Sequence, residues 1–282
     1  MLTCPIREVR KRKNNKVEQN DKVMTFWDHL DELRSVLFRI VAVVVIFTIL
    51  GFCFKDQLFA VVLAPKESDF IFYRFLCRLS EWLSMPGLCP GEFNSTLINT
   101  QLAGQFMMHA MVSIYAGLIV ASPYVIYKLF RFISPALYEN ERKYSIRVVT
   151  SGYLLFVTGV LVNYFIIFPL TFRFLASYQV SFEVQNTIML SSYIDTLMLL
   201  SVLMGIVFEI PVVCWFLAKI GVLHSSFMQK YRKHAYVVAL IVAAVITPTS
   251  DIFTLLLVSV PIFVLYEASI LIVRKVDKNV DD

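Results

Sequence analysis

Long apolar runs alternate along this chain with short charged stretches, and most of the runs approach the roughly 20 residues with which a helix crosses a bilayer. Runs over 37–54, 103–127, 145–169, 191–217 and 252–273 predict five helical spans, and 235–246 predicts a shorter sixth. As a helix, 235–246 reaches about 18 Å against a hydrocarbon core of about 30 Å, so the bilayer thins there or the last hairpin sits off-centre. That last pair reads as a re-entrant hairpin or as two short spans. Pro123 should bend the second span, and Glu209 and Pro211 lie near the far end of the fourth. The stretch 55–102 is too long for a plain connector and should carry short structure of its own. Within it, 70–83 has the pattern of an amphipathic helix lying on the membrane surface, and 85–91, with Pro86, Gly87, Pro90 and Gly91, forms turns.

Just ahead of the first run, 25–39 reads TFWDHLDELRSVLFR. At helical spacing Phe26, Leu30, Leu33 and Leu37 make an apolar stripe, with Asp28, Glu32, Ser35 and Arg39 on the other side. Thr25 can cap the first turn with Asp28 three positions on, and Asp31 and Arg34 are spaced for an i,i+3 ion pair. The segment is an acidic amphipathic helix fused to a membrane span, and by itself it reads as an interfacial anchor.

Composition agrees with the pattern: 58% of the 282 residues are hydrophobic, and mean hydropathy is +0.69. Barrel strands would give alternating segments of about ten residues, which do not dominate here. The fold class is therefore all-α, a polytopic integral membrane protein. The polar residues 1–24 form a basic tail, expected to be disordered, and no cleavable signal precedes the first span. Five of the 26 basic residues, Lys55, Lys66, Arg74, Arg78 and Arg173, fall on one side of the alternation. The others gather in the N-terminal segment, 128–147, 219–233 and the C-terminus. By the positive-inside rule both termini are cytoplasmic, and six transmembrane helices satisfy this parity. The organisation is a tail at 1–24, a membrane domain at 25–273 with an exported-side loop at 55–102, and a short cytoplasmic tail at 274–282. The net charge of +5 follows topology and implies no nucleic-acid partner.

Three acids lie within apolar runs. Glu209 carries the highest lipid cost, about 2.5 kcal/mol or more at mid-bilayer, so it either packs helices in a protonated or hydrogen-bonded form or serves a passing chain or ion. Asp251 follows a proline turn and reads as the N-cap of the last helix. Glu267, beside Tyr266, reads as snorkelling to the cytoplasmic interface, and Asp195 as interfacial. Catalysis finds little support: His29, His109, His224 and His234 are scattered, with no HExxH, no GxSxG and no glycine-rich phosphate loop. The reading is a non-enzyme with no metal and no cofactor. Cys77 and Cys89 share the exported loop, where an oxidising compartment favours a Cys77–Cys89 disulfide.

The segments DHLDELR, SPALYENER, NYFIIFP, FEIP and TPTSDIF, in that order over 25–273, resemble the TatC family, the signal-peptide receptor of the twin-arginine protein translocase. The resemblance implies six spans in a concave bundle in the bacterial cytoplasmic (inner) membrane. It implies export of folded proteins with TatA/TatB-type single-span partners and the proton-motive force, and a homo-oligomer within a hetero-complex. It further implies that Glu32, Arg34, Phe132, Glu141 and Arg142 receive the twin-arginine signal peptide. Pro65, Tyr164, Glu209, Thr247 and Asp251 correspond to positions of transport or partner contact. Carboxylates at a partly desolvated surface suit a pair of arginines, which bind them through charge-assisted, often bidentate bonds. Two departures stand out. Thr249 and Ser250 intervene before the sixth helix, with Leu255 where the family often has Gln, and the exported loop is long and cysteine-bearing. A proton-coupled small-solute transporter using Glu209 is the alternative, but it should show internal repeats, and none appears.

Overall fold

The computed structural model describes residues 26–83, 96–133, 145–179, 181, 186–247 and 251–281. The chain divides into two units, Met1–Arg39 and Ile40–Asp282. Helix α1 (Phe26–Cys53) contains the amphipathic segment and the first apolar run without interruption. In its first part Leu30, Leu33, Leu37 and Phe38 are exposed. Arg34 lies over the Phe38 ring at 5.7 Å and makes no ion pair with Asp31 among the described residues, so an i,i+4 cation–π contact replaces the expected i,i+3 pair.

The stretch after α1 has structure of its own, as expected. It forms α2 (Lys55–Leu63), a 3-10 turn (Ala64–Lys66) and α3 (Ile71–Leu83). The two-residue strand β1 (Leu97–Ile98) pairs in parallel with β2 (Ile188–Met189), Leu97 opposite Ile188 and Ile98 opposite Met189. Two residues have no periodicity to read, so this pair was not expected. The turn-forming stretch 85–91 lies outside the described residues.

Helix α4 (Gly104–Ile133) runs six residues beyond the expected end at 127, with Pro123 inside it. Packing carries it past the apolar run: the Lys128 ammonium sits 5.4 Å from the Tyr124 ring, and Phe130 meets Phe216 edge-on at 6.4 Å. The third span is likewise longer than its apolar pattern. It comprises α5 (Ser145–Val162), a π-turn (Asn163–Ile167) and α6 (Phe168–Ser177). The wide turn lies directly before Pro169, where a regular α-helix would clash with the proline ring. Within it Asn163, fully buried, donates to the Ser201 hydroxyl at 2.9 Å.

The fourth span is α7 (Leu190–Val207) and α8 (Ile210–Lys219), separated at Phe208–Glu209 because Pro211 has no N–H to continue the ladder. A short α9 (Ser225–Lys230) leads to α10 (Arg232–Ile246), which ends at Ile246 as its sequence suggests but starts three residues earlier. Helix α11 (Ile252–Asp281) closes the chain and continues past the apolar run. Among the described residues, five helical stretches are long and apolar enough to cross a membrane, and α10 is the short sixth candidate.

The fourth span is the most buried of the five. Ile194, Leu197, Leu200 and Met204, at helical spacing on α7, are nearly inaccessible. Toward α10 and α11 their core includes Ala243, Val258 and Ile262, and toward α2 and α6 it includes Val62, Phe168 and Phe172. Helices α5 and α7 touch through backbone: a Cβ on Gly159 would lie 2.6 Å from the Met204 carbonyl oxygen and 3.0 Å from Gly205 Cα. Small residues at such crossings replace the hydrophobic drive that lipid cannot supply.

Candidate functional site

Glu209 occupies the break between α7 and α8. Its carbonyl accepts from the amides of Val212 and Val213, both at 3.0 Å, which starts α8 below a proline that has no amide of its own. The side chain is half-buried and leans on Gly152 of α5: a Cβ there would stand 3.0 Å from Oε2 and 3.4 Å from Oε1. Oε1 is shielded from solvent and has no hydrogen-bond partner among the described residues. An apolar cavity of about 380 Å³ lies alongside, lined by Val148, Ser151 and Leu155 of α5, Pro211, Val212 and Trp215 of α8, and Ile272 of α11. A carboxyl group with an unused acceptor beside an apolar cleft is built to take a donor from outside this chain or to hold a proton. Gly152 was not singled out from the sequence, since nothing local marks it as the neighbour of Glu209.

Glu32 and Arg34 lie on α1. Glu32 is half-buried, and its Oε2 is screened without a hydrogen-bond partner among the described residues. Phe132 stands half-buried near the end of α4. Glu141, Arg142 and Cys89 lie outside the described residues. Cys77 is disulfide-bonded, whereas Cys53 and Cys214 are free.

Thr247 and Asp251 flank the turn between α10 and α11. Thr247 is buried, and its amide donates to the Ala243 carbonyl at 2.9 Å. Asp251 Oδ2 accepts from the Thr254 amide at 2.7 Å, the N-cap bond expected of an acid opening a helix. Glu267 is not merely snorkelling. Its Oε1 accepts from Arg232 Nε and from the Tyr236 hydroxyl, one turn apart on α10, and so ties α10 to α11.

Pro65 and Tyr164 come together with two tyrosines that sequence reading passed over. Helix α2 ends with carbonyls that have no partner in the helix ladder. Tyr164 donates to the Val61 carbonyl at 2.7 Å and Tyr193 to that of Val62 at 2.9 Å. Tyr73 of α3 donates to the Pro169 carbonyl at 3.0 Å, with the carbonyl of buried Pro65 at 3.5 Å. Burial pushes the Tyr73 phenol up to about 12, against a smaller opposing pull from the Arg173 guanidinium, which lies 5.5 Å from its ring. Tyrosine belts at interfaces are ordinary, and only the fold shows these hydroxyls aimed at one segment.

Helices in this order, a broken fourth span carrying a half-buried acid, and a short fifth helix tied to a long sixth define a multi-pass helical membrane protein. Residues 28–261 match the family model described as Sec-independent protein translocase protein (TatC). The chain belongs to the TatC family, and is thus an inner-membrane component of the Sec-independent, twin-arginine protein translocase. It is 37% identical over 267 residues to the TatC protein of Blattabacterium sp. subsp. Periplaneta americana, covering 94% of this chain and 99% of that one. It is 31% identical over 249 residues to TatCy of Bacillus subtilis, covering 88% of each. A crystal structure of a twin-arginine translocase receptor, TatC, superposes with a TM-score of 0.70 at 29% identity, over 88% of this chain and 99% of that one. The family resemblance read from the motifs is borne out.

Proposed function

We propose that this chain is the subunit that receives twin-arginine signal peptides at the cytoplasmic face and recruits TatA/TatB-type single-span partners to export folded proteins. Glu32 is the observation that carries the reading: a half-buried carboxylate with an unengaged oxygen on an acidic helix suits a guanidinium better than it suits water. Glu141, Arg142, Phe132 and Arg34 act with it in holding the peptide. Glu209, with its unpartnered Oε1, and Thr247 and Asp251 at the α10–α11 turn serve the later contacts with partner helices. Pro65 and Tyr164 act on the exported side by keeping α2 in place. Both termini are cytoplasmic, 1–24 and 274–282 being tails on either side of the membrane domain, and the working form is a homo-oligomer within a hetero-complex driven by the proton-motive force. The similar crystal structure is that of a twin-arginine translocase receptor, which supports the assignment.

The test crosslinks a photoreactive twin-arginine signal peptide to membranes carrying the full chain. Glu32→Ala and Glu141→Ala should each weaken crosslinking and export together. Unchanged crosslinking in both would sink the receptor assignment of these residues. Glu209→Ala should leave crosslinking intact and abolish export.

A further inference from the structure

A second cavity, this one with polar side chains in its lining, lies away from Glu209, at the face where α1 ends and α4 and α7 begin. Alternation of the spans puts these three ends on one side, the exported face under the positive-inside assignment. The cavity measures about 410 Å³ and is lined by Lys55, Gln105 and His109 together with Phe59, Leu63, Phe106 and Leu190. A water's share of liquid volume is roughly 30 Å³, so the space suits something larger. None of the lining residues is acidic. Lys55, the first residue of α2, is exposed and makes no ion pair among the described residues.

His109 is the unusual member. It is only 9% exposed, sandwiched against the Phe52 ring at 4.0 Å with Phe59 at 5.9 Å, and its Nε2 has no hydrogen-bond partner among the described residues. A buried nitrogen of this kind costs free energy unless something pairs with it. Gln105 belongs to the first turn of α4, a 30-residue helix; the Gly104 amide donates to the Gln101 carbonyl at 3.1 Å and that of Met107 to Ala103 at 3.0 Å, which leaves the amides of Gln105 and Phe106 outside the ladder at its positive end. Lys55 of α2 and Gln105 and His109 of α4 thus bring positive charge and donors to the cavity from two helices, and aromatic and aliphatic side chains of the same helices, with Leu190 of α7, line the rest.

We propose that this cavity binds one anionic phospholipid of the exported leaflet. Its phosphate is held by Lys55, Gln105 and the opening turn of α4, with His109 as a further donor, and its acyl chains lie along Phe106, Phe59 and Leu190. A free phosphate shares the headgroup chemistry but would leave the apolar walls uncovered. The cavity opens at the depth where apolar spans meet water, which is where a lipid phosphate resides.

The experiment reconstitutes the full chain in nanodiscs of phosphatidylcholine with a minor fraction of phosphatidylglycerol and counts lipids retained by native mass spectrometry. Wild type should keep one phosphatidylglycerol in preference to phosphatidylcholine. Lys55→Gln, at an exposed position, should lower that retention by about tenfold, the loss of one charge-assisted bond. Leu63→Trp, which fills the cavity, should remove it, and if that variant does not fold, Phe106→Glu at the exposed rim takes its place. Lys230→Gln, on the opposite face, should change nothing. Equal retention in wild type, Lys55→Gln and the cavity variant overturns the proposal. So does inorganic phosphate raising the melting temperature of the lipid-free protein as much as phosphatidylglycerol does, which makes it a free-anion site. Displacement of the lipid by a short polyglutamate peptide that also stabilises the protein would assign the cavity to an acidic protein segment instead.

Discussion

The Tyr164 hydroxyl donates to the Val61 carbonyl at 2.7 Å, joining residues 103 positions apart. Tyr193 does the same to Val62 at 2.9 Å. Neither contact has a local signature, yet together they settle where α2 lies. Both reach carbonyls at the end of a nine-residue helix that also buries Val62 in the core, and so add directional bonds to that packing.

Removing these hydroxyls should have unequal effects. Val61 O also accepts the Ala64 amide, so Tyr164→Phe should cost about 1 kcal/mol or less. Tyr193 is 2% exposed, and Tyr193→Phe strands a buried acceptor, which should cost about 1–3 kcal/mol. Thermal unfolding in detergent measures both, and a Tyr193→Phe variant as stable as wild type would refute the pinning.

The two glycines of α5 should respond in opposite ways to alanine. At Gly159 the added methyl meets the Met204 carbonyl oxygen at 2.6 Å, and backbone cannot step aside, so overpacking of about 1–3 kcal/mol outweighs the roughly 1 kcal/mol gained in helix propensity. At Gly152 it meets the end of the Glu209 side chain at 3.0 Å, which can swing away. Gly152→Ala should therefore be neutral or stabilising while shifting the carboxylate and reducing export. Melting temperatures set beside export assays separate the two, and a reversed order would contradict the contacts.

Tyr73 should confer a pH dependence confined to alkaline conditions. Its phenol ionises near 10.0 in the unfolded chain and near 12 when folded, so between these values the native state holds the extra proton. Its contribution is fully present below pH 10 and is lost as pH rises toward 12. The difference in stability between wild type and Tyr73→Phe, followed by unfolding from pH 8 to about 12, should shrink over that window. A constant difference would mean the phenol is not desolvated.

Alkylation without reductant should label Cys53 and Cys214, the free thiols, more readily once the membrane is solubilised. Cys77 should stay unlabelled until the protein is reduced. Mass spectrometry of the peptides should find Cys89 protected in parallel, and labelling of Cys89 alone would show that Cys77 pairs elsewhere.

Much of this protein is local and so was legible in its sequence. Transfer of apolar side chains into lipid adds up residue by residue, and the alternation of runs therefore located the spans and the end of the short helix at Ile246, while helical periodicity over 70–83 located the amphipathic helix found at Ile71–Leu83. Asp251 could be read as a cap because an N-cap bond reaches only three residues ahead. Glu209 stood out because a charge within an apolar run is costly wherever the chain goes, whereas Glu32 was told from its neighbouring acids only by the family resemblance. Tertiary structure alone decided what those groups touch. Glu209 meets Gly152, Glu267 joins Arg232 and Tyr236, and Tyr164 and Tyr193 secure α2, because each contact depends on which helices adjoin and how deeply they cross. The helix ends moved for the same reason: α4 and α6 continue beyond their apolar runs where neighbouring side chains, rather than lipid, supply the packing.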